Sequence, residues 1–338
     1  MHILKGYTKQ EISWMMYDWA NSAHSVIIVT LLPIFFDTVA GYTADSVSSM
    51  STWGYATSIA MLIVALAAPF LGVFGDIRGM RKKLFSFFML LGVAACAGMA
   101  FTPGMDFTSG PVAAGKVATL ILVLYIVSVI GFDASAIYYD AFLTDVTIED
   151  RMDKVSTMGY GLGYIGGSTI PLLIFLIMNL VGVPMLTCLA FVFGLTAVWW
   201  LAFSLPLLKN CEQTSGKPYE KGDVARSIKG VGTTIKEIIA NKPMLIYILS
   251  YFFYIDGVHT VISMATTYGT NLGLDSTGMM LALLLVQILG LPFCLLYIKC
   301  SEKFGARTMV GFGICVYMFI CIFAFFMNSL WQVRGLGG

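Results

Sequence analysis

Two short stretches of sequence, GDIRGMR at residues 75–81 and SEKFGAR at residues 301–307, carry the same pattern. In each, an acidic residue is followed three positions later by glycine and two positions after that by arginine, at a constant offset of 226 residues. Each stretch lies between two long apolar segments, where the chain must turn back. A pattern that recurs at a fixed offset indicates an internal repeat. The chain is therefore predicted to contain two halves of equivalent topology.

The first apolar segment of each half carries a second match. An acidic residue is followed at i+3, i+4 and i+7 by polar residues, which places each set on one face of a helix. The two sets are Asp18 with Asn21, Ser22 and Ser25, and Asp256 with His259, Thr260 and Ser263. The three apolar segments within residues 12–103 and the three within residues 244–328 are therefore predicted to be equivalent parts of two parallel halves.

The composition places these helices in a membrane. Of 338 residues, 58% are hydrophobic and only 12% are charged, and the mean hydropathy is +0.84. Charge this sparse cannot cover the surface of a soluble protein of this size. The net charge of +1 gives no basic footprint for nucleic acid, and the seven cysteines have neither zinc-site spacing nor a disulfide pattern. The bilayer is the predicted partner, and no metal or other cofactor is expected.

Nine segments are long and apolar enough to cross a bilayer. They are predicted at residues 12–36, 52–74, 84–103, 116–143, 158–181, 185–208, 244–266, 277–298 and 307–328. The predicted domains are a six-helix bundle (1–208), a polar linker (209–243) and a partial second bundle of three helices (244–338). Ile228, Val231, Ile235 and Ile238 recur in the linker at helical spacing, which favours an amphipathic helix on the membrane surface; a flexible solvated linker is the alternative.

The basic residues set the predicted orientation. With nine alternating spans, 18 of the 20 lysines and arginines fall on one side, and only Lys116 and Arg334 fall on the other. Short loops rich in Lys and Arg stay in the cytoplasm. The N-terminus is therefore predicted to be cytoplasmic, in a plasma or inner membrane.

The first hairpin resembles the signature of the major facilitator superfamily, a glycine followed by Asp-Arg-x-Gly-Arg-Arg/Lys. The matching residues are Gly72, Asp76, Gly79, Arg81 and Lys82, with Arg78 displaced by one position. Within that superfamily, YDWANSA at 17–23 and YIDGV at 254–258 resemble the first and seventh helices of the vacuole-effluxer branch, whose fungal members are similar to vacuolar amino-acid exporters. The resemblance implies an all-α major facilitator fold of twelve spans. Since nine are present, a chain truncated after its ninth helix is expected.

Charged and polar groups inside the spans are the candidate site. A carboxylate in hydrocarbon is costly and needs a partner, a proton or water. A central polar cavity for substrate and a coupling proton is predicted, lined by Asp18, Asn21, His24, Asp133, Asp140, Asp256 and His259. The alternative is a fixed hydrogen-bond network between helices.

The resemblance also implies a cytoplasmic gate at the two hairpins, whose charges join neighbouring helices in one state and separate in the other. The predicted gate residues are Gly72, Asp76, Arg78, Gly79, Arg81, Lys82, Glu302, Gly305 and Arg307. The alternative is that these basic residues only fix the topology.

Two nucleotide-site motifs fail on their context. Residues 161–166 match GxGxxG but lie within a hydrophobic helix with no preceding strand, and residues 110–116 lack the hydroxyl that follows a P-loop lysine. Gly159, Gly163 and Gly167 instead share one helix face, which predicts close helix packing.

The sequence therefore favours a proton-coupled secondary active transporter that exports or exchanges a small polar metabolite, and the resemblance implies amino acids as the substrate class. The lack of Lys or Arg in the intramembrane part of any span favours zwitterions or cations over anions. A monomer is expected. The alternative is a non-transporting sensor or an inactive remnant of a transporter, and a membrane-embedded enzyme ranks below both.

Overall fold

The computed structural model describes residues 4–43, 49–216, 218, 223–271 and 276–335, and within these ranges the chain is helical and without strands. Among the described residues, eight helices are long and apolar enough to cross a membrane, and a ninth span is present if the bent pair Gly230–Ala240 and Lys242–Val258 counts as one. The all-α fold predicted from the sequence is confirmed. The helices are α1 (Lys9–Ala40), α2 (Ser49–Gly75), α3 (Arg81–Met99), α4 (Pro111–Val146), α5 (Glu149–Gly163), α6 (Ile170–Leu180), α7 (Met185–Asn210), α8 (Asp223–Ala240), α9 (Lys242–Asn271), α10 (Ser276–Phe304) and α11 (Ala306–Gly335).

The two repeated hairpins adopt the same backbone turn. Gly79 between α2 and α3 has φ +79°, and Gly305 between α10 and α11 has φ +83°. Residues with a Cβ atom rarely occupy this left-handed region. The glycine of the repeated stretch therefore has one conformational role in both halves, which supports their equivalence.

The fifth span is not one regular α-helix. Between α5 and α6, residues Tyr164–Thr169 form a π-helical turn, in which the Thr169 hydroxyl donates to the Tyr164 carbonyl oxygen at 2.7 Å. Pro171 lies just after this turn, and a proline ring clashes with the carbonyl four residues earlier. Two adjacent glycines, Gly166 and Gly167, make the local widening less costly. The apolar run at residues 158–181 predicts a single span and gives no sign of this turn.

Within the linker, the structure describes one helix, α8 (Asp223–Ala240). Its axis turns by 99° into α9. A right-angle bend is compatible with a helix that runs along a membrane surface and then enters the bilayer. That surface location stays a prediction.

The core of the first bundle forms where α3, α4 and α7 meet. A Cβ atom on Gly131 of α4 would lie 2.5 Å from the backbone nitrogen of Gly92 on α3, and one on Gly92 would lie 2.4 Å from the Trp200 ring of α7. The α3 and α4 backbones are therefore in contact, and the buried Trp200 fills the space beside them. Helices in membranes pack closely at such small residues.

Replacing Gly131 by alanine should separate α3 from α4. We expect Gly131→Ala to lower stability by about 1–3 kcal/mol, the usual cost of overpacking, measured as the thermal unfolding midpoint of the detergent-purified protein. Gly115→Ala on the same helix is the matched control, because a Cβ atom there meets nothing within 4 Å. Equal midpoints for the two variants would contradict the proposed backbone contact.

Candidate functional site

The stretch at residues 17–23 lies near the centre of α1 and is joined by hydrogen bonds to two other helices. The Tyr17 hydroxyl lies 2.8 Å from the Ser135 hydroxyl of α4 and accepts a hydrogen bond from the Trp200 ring nitrogen at 3.3 Å. The Trp199 ring nitrogen donates to the Trp19 carbonyl oxygen at 2.9 Å. This part of α1 is therefore fixed by side chains from α4 and α7.

Asp18 is the buried carboxylate of this region, with 8% of its surface exposed. Its Oδ2 accepts a hydrogen bond of 2.8 Å from the Tyr139 hydroxyl of α4. Tyr139 is itself held by Trp14, whose ring stacks on it at 4.3 Å and whose ring nitrogen donates to its carbonyl oxygen. Among the ion pairs of the described residues, none includes Asp18. The partner of this carboxylate is therefore a neutral phenol, which the sequence analysis missed.

Two further predicted residues lie along the same helix. Asn21 is buried, and so is His24, whose Nε2 lies 3.2 Å from the Ser128 hydroxyl. The His24 ring stacks on Phe132 at 4.7 Å, and its Nδ1 has no hydrogen-bond partner. These residues extend the polar stripe of α1 towards the middle of the bundle.

The remaining predicted carboxylates occupy separate positions. Asp140 on α4 is exposed and lies, like Asp18, within electrostatic range of Tyr160. Asp133 is partly buried and is close to Tyr125. The structure thus groups Asp140 with Asp18 and places Asp133 apart from them.

In the second half, Asp256 on α9 is exposed. Asp256 lies two positions after Tyr254, so these two residues are on nearly opposite sides of α9. The side chain of His259 lies outside the described residues. The cavity roles of Asp256 and His259 stay predictions.

The three glycines of the predicted packing face all lie against α1. A Cβ atom on Gly159 would lie 2.3 Å from Asp18 Oδ2, one on Gly163 would lie 2.5 Å from the Ser22 hydroxyl oxygen, and one on Gly167 would lie 2.6 Å from the Trp19 carbonyl oxygen. Any larger residue at Gly159 would displace the Asp18 carboxylate. The glycine face therefore also positions the candidate site.

The charged side chains of the first hairpin form ion pairs within the first bundle. Arg81 is buried and forms an ion pair with Asp145 at the end of α4, and it donates to the Ala141 carbonyl oxygen at 3.0 Å. Asp76 is a more distant and exposed partner at 3.9 Å. Arg78 is exposed, and a Cβ atom on Gly72 would meet nothing within 4 Å.

Residues 211–216, which follow α7 and which we name the clasp, cover this ion pair. Gln213 Oε1 accepts from the backbone nitrogen of Gly79 at 2.8 Å, and its Nε2 donates to the Gly75 carbonyl oxygen at 3.0 Å. The backbone nitrogens and hydroxyls of Thr214 and Ser215 all donate to Asp145 Oδ1, at 2.8–3.1 Å. The clasp therefore ties the beginning of the linker to the α2–α3 hairpin and to α4.

Cys211 is the first residue of the clasp, and Lys82 of α3 contacts it. The Cys211 thiol is buried and contacts the Gln10 carbonyl oxygen at 3.6 Å, and the Lys82 ammonium donates to the Cys211 carbonyl oxygen at 3.2 Å. Burial raises the pKa of the Cys211 thiol to about 12, although the nearby Lys82 lowers it. The thiol is therefore protonated at neutral pH.

The second hairpin makes a different contact. Glu302 at the end of α10 forms an ion pair of 2.9 Å with Lys154 on α5, and both side chains are largely exposed. Arg307 is exposed. This contact joins the two halves of the chain, whereas the Arg81 contacts remain within one half.

The comparison with known proteins decides the family. The model of the family described as "Vacuole effluxer Atg22 like" matches residues 7–150 and 144–337, which together are nearly the whole chain. The chain belongs to the vacuole effluxer Atg22-like family. Both levels of the resemblance found in the sequence, the superfamily and the branch, are thereby confirmed.

Relatives of the Atg22-like chain agree with this assignment. It is 39% identical over 335 residues to the MFS-type transporter YxiO of Bacillus subtilis (strain 168), itself uncharacterized, and the match covers 97% of the chain and 76% of YxiO. Autophagy-related protein 22-1 of Penicillium rubens is 24% identical over 188 residues, which cover 52% of the chain and 32% of the fungal protein. The chain therefore matches about a third of that fungal relative.

Solved structures show the same fold. The xylose transporter XylE from E. coli, in a partially occluded inward-open conformation, superposes with a TM-score of 0.50 at 13% identity, over 88% of this chain and 73% of XylE. A D-xylose-proton symporter superposes with a TM-score of 0.51 at 14% identity, over 87% and 69%. The Atg22-like chain is an MFS-type transporter with the major facilitator fold.

The clasp of this Atg22-like protein can be tested with its own thiol. In a variant that keeps Cys211 as the sole cysteine, Asp145→Asn should release the clasp, because it removes the ion pair with buried Arg81 and the charge that accepts four hydrogen bonds. Breaking a buried pair costs about 3–5 kcal/mol. We expect maleimide labelling of Cys211 at pH 7 to become at least about tenfold faster, since exposure restores an ordinary thiol pKa of about 8.5.

The matched control is Asp150→Asn, a change at an exposed carboxylate five positions away. It should leave the labelling rate unchanged. A Cys211 that reacts equally fast in the parent, the control and Asp145→Asn would show that residues 211–216 do not close over the thiol.

Proposed function

We propose that this protein is a secondary active transporter that exports or exchanges a small polar metabolite, with amino acids as the substrate class and a proton as the coupling ion. The membrane is the plasma or inner membrane, the N-terminus is cytoplasmic, and the protein acts as a monomer. The observation that carries the proposal is the buried Asp18 carboxylate, whose hydrogen-bond partner is the Tyr139 phenol rather than a cation.

The Asp18 site suits proton coupling for an electrostatic reason. Protonation changes its charge by a full unit, and no ion pair among the described residues compensates that charge. In an apolar surrounding such a change shifts the balance between two helix arrangements. Asp18 lies on α1, where α4 and α5 pack against it, so its charge acts on the contacts that hold this bundle together.

Alternating access also needs a contact between the two halves that can open. Lys154 and Glu302 supply one at the end of the bundle that holds the N-terminus. Exposed ion pairs contribute only about 0–1 kcal/mol. A weak pair can break during each cycle, whereas the buried Arg81–Asp145 pair is suited to remain formed.

The transport proposal predicts counterflow in proteoliposomes. With pooled amino acids inside, the full chain should accumulate labelled amino acid, and a pH gradient should increase the accumulation. Asp18→Asn should reduce the pH-driven component by about tenfold, equivalent to about 1.4 kcal/mol of coupling, while exchange without a gradient persists.

Asp106→Asn is the control for that experiment, because Asp106 lies in the exposed loop between α3 and α4, where it accepts hydrogen bonds from Thr108 and Ser109. It should behave like the parent. An Asp18→Asn protein that retains full pH stimulation would refute the coupling role, and flat traces with every solute would instead favour a sensor.

The contact between the halves predicts a charge-reversal pattern. Lys154→Glu and Glu302→Lys should each slow exchange by a few-fold, since each places like charges together at a site worth about 1 kcal/mol. The double variant Lys154→Glu/Glu302→Lys should restore the rate. A double variant as slow as the worse single variant would show that the pair does not act during transport.

A further inference from the structure

Helix α8 runs nearly at a right angle to the helix that follows it. Its first residue comes seven positions after Gly216, which closely approaches the Asp76 carbonyl oxygen just after α2. At its other end, only Asn241 separates it from α9, and Gly230–Ala240 makes an angle of 99° with Lys242–Val258. Both ends of α8 are therefore tied to helix ends on the predicted cytoplasmic side. A helix perpendicular to a membrane span runs along the membrane surface.

The second half of α8 carries an apolar face that the described residues leave uncovered. Ile235 and Ile239 are one turn apart, and 48% and 59% of their surfaces are exposed. Ile228 and Val231 continue this face by sequence register. Beside it, a Cβ atom on Gly232 would meet nothing within 4 Å. A continuous face of exposed isoleucine is unfavourable in water, which indicates that an apolar phase covers it.

A basic flank runs beside this apolar face. Lys229 and Lys236 are seven positions apart, about two helical turns, so both are on one side of α8. The acidic residues of α8, Asp223 and Glu237, are on the other side by the same register. Lys236 is exposed, and so is Lys242 at the start of α9. Lysines beside an apolar face can place their ammonium groups among lipid headgroups while the apolar face enters the acyl region.

The chain that follows the clasp is basic as a whole. Residues 217–242 contain six lysines and arginines but only three acidic residues. Polybasic segments next to a membrane helix are attracted to anionic lipids, whereas zwitterionic headgroups carry no net charge to attract them. The charge of this segment therefore complements phospholipids with negative headgroups.

We propose that α8 docks on the cytoplasmic leaflet by binding anionic phospholipids, with its isoleucines towards the acyl chains and its lysines towards the phosphates. The lipid composition then sets how firmly the linker is held to the membrane. This inference goes beyond the proposed function and does not depend on transport.

The test measures the position of α8 in nanodiscs of two compositions, phosphatidylcholine alone and phosphatidylcholine with phosphatidylglycerol. The full chain carries a nitroxide spin label on Ile235→Cys, and accessibility is measured with the nickel complex NiEDDA, which is neutral and stays in water. The background has alanine at the four cysteines that are not buried, namely Cys294, Cys300, Cys315 and Cys321.

We expect the NiEDDA accessibility at residue 235 to be at least about fivefold lower in the anionic nanodiscs, because lipid then covers this face. A label on Thr233→Cys is the matched control. Thr233 is exposed and lies two positions away, on the opposite side of α8. That label should stay accessible in both lipids.

Two pairs of lysine substitutions locate the charge. In the labelled Ile235→Cys protein, Lys229→Gln/Lys236→Gln should bring the accessibilities in the two lipids to within about twofold of each other. Lys9→Gln/Lys209→Gln is the charge-matched control, because both lysines are exposed and lie outside α8. It should leave the full difference. High salt should also remove the difference, since it screens exposed charges.

Equal accessibility of residue 235 in the two lipids would overturn the proposal. A label exposed in both would show a solvated linker, and a label shielded in both would show that protein, or lipid of any charge, covers the isoleucines. A difference that survives Lys229→Gln/Lys236→Gln would also overturn it. The measurement includes no transport step, so a chain that transports nothing can still confirm the inference, and an active transporter can refute it.

Discussion

The close contact between α1 and the fifth span is the constraint on which the rest of the site depends. Gly159, Gly163 and Gly167 let the α1 backbone approach so closely that a single added Cβ would meet Asp18, Ser22 or Trp19 within 2.3–2.6 Å. That approach places the Asp18 carboxylate between α1 and α5, where the Tyr139 hydroxyl of α4 donates a hydrogen bond to it. A buried carboxylate needs space that close helix packing usually fills with side chains. Here the glycines allow both, because they have no side chain where the Asp18 carboxylate lies.

Sequence periodicity predicted the helices well, because membrane spans are long apolar runs and hairpin turns need residues such as Gly79 and Gly305. It also identified Asp18, since a carboxylate in an apolar run stands out. It could not identify Tyr139 as its partner, because tyrosine is common in membrane helices and the pair is separated by 121 residues. The π-helical turn at Tyr164–Thr169 was missed for a related reason: the composition of the span is uniform, and the change is in backbone hydrogen bonding.

The two hairpins have the same turn but different partners. In the first, Arg81 is buried against Asp145 and covered by Gln213 and Ser215. In the second, Glu302 reaches an exposed lysine of the other half. The repeated sequence could not reveal this difference, because the clasp that contacts the first hairpin is part of the linker and lies outside the two repeated stretches. Equivalent motifs have therefore acquired one internal role and one role between the halves.

This difference determines where movement between the halves can begin. The clasp ends at Gly216, whose φ of +122° and close approach to the Asp76 carbonyl oxygen fit only a residue without a Cβ atom. Up to that glycine the linker is bonded to the first bundle through Asp145 and Gly75. A rotation of one half against the other must therefore be absorbed after residue 216, by the linker that contains α8. Because the charges of Arg81 and Asp145 are neutralised inside one half, they do not oppose the rotation that the proposed transport cycle requires. Among the described residues, the exposed Lys154–Glu302 pair is the ion pair between the halves that this rotation would break.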